Sequence, residues 1–175
     1  RLPTEQVEIT NVTDDYGVLV LAGLLSRDVL AKLTTANLSN TSFRWLTGKE
    51  IDVAGVALRA LRVNYVGELG WELHAPMGQL ERTYDAVCSA GEEFGIADFG
   101  VYAVNSLRME KAYRGWGAEL TNEITMIEAD VERFVCYEKT DFVGREALLR
   151  RKQSGVNTCL VYTEVDAEDA DVRGG

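Results

Sequence analysis

Residues 56–76 constrain this chain more than any other stretch. They read VALRALRVNYVGELGWELHAP, two alternating runs separated by Gly67 and Gly70. Alternation with period two sends successive side chains to opposite faces of a strand. Leu61, Val63 and Tyr65 are expected to share a face of the first run. In the second, Trp71, Leu73 and Ala75 point one way, Glu72 and His74 the other. Pro76 stops the run because it has no N–H to give to a ladder. The pattern predicts an antiparallel hairpin with an apolar face and a face that offers a carboxylate.

The rest of the chain supplies the partners. VEITNV (7–12) and GVLVLAG (17–23) read as two strands separated by turn residues 13–16. Ser26 suits a helix N-cap, with Asp28 in the first turn and Val29, Leu30 and Leu33 on one face. Residues 34–49 are rich in Thr, Asn and Ser and predict a loop, with Phe43 and Trp45 as hydrophobic plugs. A helix over 78–94 follows, with Leu80, Tyr84, Val87, Cys88 and Gly91 as its stripe and Gly95 as its stop. A second covers 99–112, capped by Asp98, with Val101, Val104, Leu107 and Arg108 inward. YRGWGAEL (113–120) reads as an aromatic loop, 131–138 as a short strand, 141–155 as a helix capped by Asp141, and 158–165 as a final strand. Strands arrive in groups rather than alternating with helices, so the class is α+β, an antiparallel sheet with packed helices.

Composition narrows the function. The net charge of −10, from 18 basic and 28 acidic side chains, would repel a polyanion, which argues against nucleic acid. No apolar run approaches the length of a membrane span, and the first ten residues carry no apolar signal segment. Cys88, Cys136 and Cys159 are widely spaced and His74 is the sole histidine, so neither a disulfide framework nor a metal centre is expected. These features suit a reducing compartment, the cytoplasm, or the mitochondrial matrix in a eukaryote. The opening on Arg1 and the acidic close VDAEDADVRGG read as a piece of a longer polypeptide. Nothing indicates an oligomeric state.

Glu72 is the candidate binding residue, with Tyr65 seven positions earlier and Tyr113 and Trp116 adding aromatic surface elsewhere. A strand-borne carboxylate turned from the core is ordinarily a solvated residue. Here two glycines permit close approach of a backbone or a planar ligand. Two acceptor oxygens complement a ring with two adjacent N–H donors, such as a 2-amino-4-oxo-pyrimidine edge. Several heterocycles meet that description.

At these residues the sequence resembles a known family. RVNYVGELGWELH is similar to the "Gly-Tyr-Thr-Gly-Glu-x-Gly-(aromatic)-Glu" signature of folate-binding aminomethyltransferases, the glycine-cleavage T-protein and its relatives. LVLAGLLSRDVLAKL, NSLRMEKAYRGWGAELTNEIT and DFVGREALLRRK resemble further segments of the family, in the same order. EKAYRGWGAELT and TDFVGREAL look most like the folate domains of dimethylglycine and sarcosine dehydrogenases, flavoproteins fused to a T-protein-like half. The resemblance implies a ferredoxin-like central folate domain over 1–156 and the start of a C-terminal barrel domain over 157–175. It implies that Tyr65 and Glu72 hold the pterin of tetrahydrofolate. In such enzymes FAD, bound in another part of the protein, oxidises an N-methyl amine, and the folate domain captures the one-carbon unit as 5,10-methylenetetrahydrofolate. The family's catalytic aspartate belongs to a segment N-terminal to this sequence; Asp14 and Asp15 do not take its place, and the chain alone is expected to be inactive. The T-protein arginine linked to the folate tail is replaced by Val104, while Arg108, which remains, reads as a buried, paired structural residue. Two alternatives stand beside this reading: a stand-alone folate-dependent transferase or demethylase, and a non-catalytic folate-binding or assembly module.

Overall fold

The computed structural model describes residues 6–164 and 166. The chain divides into two compact units, residues 1–113 and 114–175.

The first unit is built on a four-stranded antiparallel sheet of order β1-β4-β3-β2. Its strands are β1 (Tyr16–Ala22), β2 (Gly48–Val53), β3 (Val56–Leu61) and β4 (Gly70–Pro76). β2, β3 and β4 follow one another as a meander, and β1 lies along the far side of β4 with Val20 opposite Glu72 and Val18 opposite His74. Alternation fixes the faces. Leu21, Ile51, Val53, Leu58, Ala60, Trp71, Leu73 and Ala75 turn inward, where α1 (Ser26–Ala31) contributes Val29 and Leu30 and α2 (Leu80–Gly91) contributes Val87 and Ala90. Phe43 is fully buried and meets Trp71 edge to face at 6.1 Å between ring centroids. The α+β class and the antiparallel sheet agree with the sequence pattern.

Several local expectations are corrected. Residues 7–12 form no strand and are exposed, and β1 stays at the edge of the sheet. β3 ends at Leu61, so Val63 and Tyr65 belong to a loop, not a strand face. Ser26 is the first residue of α1, not its cap, and its hydroxyl donates to Leu69 O at 3.0 Å. Trp45 is 61% exposed and plugs nothing. The 78–94 helix is shorter than expected, with a 3₁₀ turn on either side of α2 and Gly95 closing it at a left-handed φ of 70°. Its buried line runs through Thr83, Val87, Ala90 and Gly91, while Tyr84 lies outside it. α3 (Val101–Glu110) starts from Gly100 rather than Asp98, and Val101 is exposed. Asp98 instead accepts a hydrogen bond from Tyr84 Oη at 2.8 Å, which pushes that phenol well above its usual range, Cys88 adding to the effect.

The second unit has little regular structure. α4 (Arg145–Ser154) follows Gly144, at a left-handed φ of 89°, so Asp141 is not its cap. The strand expected at 131–138 is a 3₁₀ turn at Glu132–Phe134, and residues 158–164 form no strand; residue 165 lies outside the described residues. A buried carboxylate organises this unit. Glu128 accepts from Thr125 N at 2.8 Å, from Arg151 Nη2 and from Thr158 Oγ1, while its carbonyl accepts from Leu160 N at 2.7 Å. Arg151 first, and then the backbone and hydroxyl of Thr125, hold its carboxyl at about 2, well below the usual carboxylate range.

Candidate functional site

The site is built on β4 and the loop before it. Gly70 opens the strand because nothing larger fits: a Cβ there would lie 2.5 Å from Leu21 O and 3.0 Å from Ala22 Cα. Gly67 has a left-handed φ of 75°, and a Cβ there would collide with the Lys111 side chain. Both glycines thus serve close packing within the protein. Around them the loop is tied down by polar contacts. Asn64 Oδ1 accepts from Val66 N at 3.0 Å, its amide nitrogen donates to Glu68 O, and Lys111 pairs with Glu68 at 3.3 Å. Leu69 O accepts from Gly23 N at 2.8 Å as well as from Ser26, fastening the loop to the end of β1.

Alternation then delivers Glu72 to the face opposite the helices, as the sequence predicts. Val20 on β1 and Leu61 on β3 flank it in register. These aliphatic neighbours thin the water around a carboxylate whose side chain is 31% exposed. His74, next on the same face, places Nε2 3.2 Å from Glu72 Oε2. It lies between Val18 and Arg59 in register. One carboxylate oxygen therefore has a partner within the protein, and the group stays accessible.

Tyr65 sits in the loop, 40% exposed, its ring tilted against Tyr113 with centroids 6.3 Å apart. Sequence reasoning placed Tyr113 in an aromatic loop without pairing it to Tyr65. It also read Arg108 as structural without finding its task. Arg108 is 5% exposed, donates through Nε to Asn105 Oδ1 at 2.8 Å, and donates through Nη1 to Tyr113 O at 2.9 Å. It fixes the backbone that carries Tyr65's aromatic neighbour. A buried arginine at the end of an amphipathic helix was the available signal, but its acceptor lies beyond the helix and shows no pattern.

Tyr65 and Glu72 are thus both solvent-accessible, one in contact with Tyr113 and the other with His74. Val104 lines a cavity of about 310 Å³ beside β1, with Val18, Val20, Cys88 and Asp98. Neither Tyr65 nor Glu72 is among its lining residues. Asp14 and Asp15 lie in the exposed turn before β1. Among the described residues there is no cluster of three metal-ligating side chains, and no helix is long and apolar enough to cross a membrane.

An antiparallel sheet with helices on one face and an accessible carboxylate on the other defines a class of α+β domain. Its family follows from comparison with known proteins. The profile of the GCVT N-terminal domain matches residues 1–139, and the chain belongs to that family. Mitochondrial dimethylglycine dehydrogenase from Mus musculus is 43% identical over 169 residues, covering 96% of this chain and 19% of that protein. Mitochondrial sarcosine dehydrogenase from the same organism is 38% identical, covering 92% and 18%. An aminomethyltransferase from Listeria monocytogenes is 37% identical, covering 91% and 43%. The chain therefore spans less than half the length of each of these relatives.

Proposed function

We propose that this chain forms the folate-holding part of an enzyme that oxidises an N-methyl amine of the dimethylglycine or sarcosine type and passes the released carbon to tetrahydrofolate. The observation that carries the reading is the 43% identity to a dimethylglycine dehydrogenase across 96% of the chain. The chemistry of the residues fits the ligand. Glu72 presents an acceptor between two aliphatic side chains, suited to the adjacent N–H donors of a reduced pterin. Tyr65, backed by Tyr113, offers an aromatic edge and a hydroxyl.

Bound tetrahydrofolate supplies two amines that take up the one-carbon unit, giving 5,10-methylenetetrahydrofolate. The chain's own contribution is to orient and confine. Glu72 fixes the ring by its donor edge, and His74 limits the positions its carboxylate can take. Val20 and Leu61 flank that carboxylate and narrow the approach of water to it. Holding the acceptor where the carbon is released favours transfer over loss as formaldehyde. FAD, in a part of the enzyme beyond these residues, would supply the oxidation. On this reading residues 1–156 belong to the central folate domain and 157–175 open the next, and the mitochondrial relatives support a matrix location.

The 37% identity to an aminomethyltransferase favours a second reading, a folate-dependent transferase without a flavin. Calorimetric titration of the full-length protein with 5-formyl-tetrahydrofolate tests the shared core of both. Glu72→Ala is expected to weaken binding by about 2–4 kcal/mol, the loss of two charge-assisted hydrogen bonds. Tyr65→Phe is expected to cost about 0.5–1.5 kcal/mol for one neutral bond. Equal affinity in wild type and both variants would remove the assignment.

A further inference from the structure

A different polar constellation lies on the helix side of the sheet. Arg27, in α1, donates through Nη2 to Asn40 Oδ1 at 2.6 Å. Arg62, just past β3, donates through its own Nη2 to the same oxygen at 2.7 Å. Arg62 also donates through Nη1 to Phe43 O and rests 5.9 Å from the Trp71 ring centroid. Trp71 and Glu72 are neighbours on β4 and face opposite ways, so this cluster is separate from the Glu72 face.

Its charges do not balance. Two guanidinium groups, each a full positive charge, meet at one neutral amide oxygen. Guanidinium groups only donate, so the Asn40 oxygen must be the atom turned toward them. Among the described residues no carboxylate pairs with either arginine, in a chain where acidic side chains outnumber basic ones 28 to 18. Arg27 Nε is buried without a partner. Burial, and then the charge of Arg27, lowers the pKa of Arg62 from its ordinary value. Like charges brought together without a counter-charge repel, and an anion held beside both would offset that repulsion.

We propose that Arg27, Arg62 and Asn40 form a binding site for a small oxyanion, a carboxylate or phosphate with two or more oxygens on one centre. The planar fork of arginine matches such groups two oxygens at a time. The guanidinium N–H groups not taken up by Asn40 and Phe43 O supply donors, and the Asn40 amide nitrogen, whose oxygen is already engaged, supplies another.

The experiment is calorimetric titration of the full-length protein with inorganic phosphate and, separately, with glutarate, at an ionic strength held constant with sodium chloride. Saturable binding of at least one is expected, and the stronger of the two identifies phosphate or carboxylate as the natural group. Arg27→Gln and Arg62→Gln should each weaken it at least tenfold. Asn40→Asp keeps both arginine contacts and supplies the counter-charge from within, so it should raise the melting temperature and abolish anion binding. Because that variant gains an attractive pair, its loss of binding does not reduce to misfolding. Absence of saturable heat with both anions overturns the proposal, as does binding that survives all three substitutions unchanged.

Discussion

Glu72 owes its placement to Gly70, two residues before it. The Cβ that any other residue would bring to position 70 meets backbone atoms of β1, which have no rotamer to escape into. Gly70→Ala is therefore expected to lower stability by about 1–3 kcal/mol in urea unfolding, the usual range for overpacking. An unchanged midpoint would show that β1 yields there. The sequence marked position 70 as special and left open what approaches it; the answer, a neighbouring strand, needed the pairing of β1 with β4. The outward aim of Glu72 was likewise legible, since period two allows no other. Its flanks were not, because Val20 and Leu61 lie 52 and 11 residues away and only the register brings them beside it. Tyr65 was expected on a strand face. It lies in a loop because Asn64 turns its side chain back on the backbone at Val66 and Glu68, a local competitor to the ladder.

At the scale of elements, the runs that failed as strands share a property. Residues 7–12, 131–138 and 158–164 are rich in β-branched and apolar side chains, yet a strand exists only where a neighbour completes its hydrogen bonds. In the second unit those bonds go elsewhere: Leu160 N reaches the carbonyl of Glu128, whose carboxylate gathers the 125 turn, Thr158 and Arg151 of α4. No sequence periodicity announces a lone carboxylate that joins three segments. Its titration gives the arrangement a measurable signature. Because the folded pKa of Glu128, about 2, is below the ordinary 4.5, its stabilisation is full above the ordinary value and fades as pH falls from there toward 2. Glu128→Gln should therefore lower the melting temperature of this unit at neutral pH and have a diminishing effect over that acid window. A difference independent of pH would mean that the negative charge is not what holds the segments. The core of the first unit makes a contrasting prediction. Trp71 is fully buried against Phe43, and Trp71→Ala should cost about 3–5 kcal/mol in urea unfolding at any pH where the protein folds.

For the whole molecule, order of segments was the most informative part of the sequence. The α+β class and the family membership were both readable, because four separate stretches matched in order and the strands came grouped. The proposed role assigns this chain the capture of carbon rather than its release. On that proposal, Glu72→Ala in the full-length protein should leave amine oxidation near its wild-type rate, followed with an artificial electron acceptor. The same variant should shift the product from methylenetetrahydrofolate toward free formaldehyde. Formaldehyde yield unchanged by the substitution would count against confinement by this site. The most direct measurement is a crystal structure of the full-length protein with 5-formyl-tetrahydrofolate. The account predicts the 2-amino and neighbouring ring N–H of the pterin at roughly 2.7–3.0 Å from the Glu72 carboxylate, with Tyr65 touching the ring system. A pterin lodged elsewhere, with Glu72 still touching only His74, would contradict it.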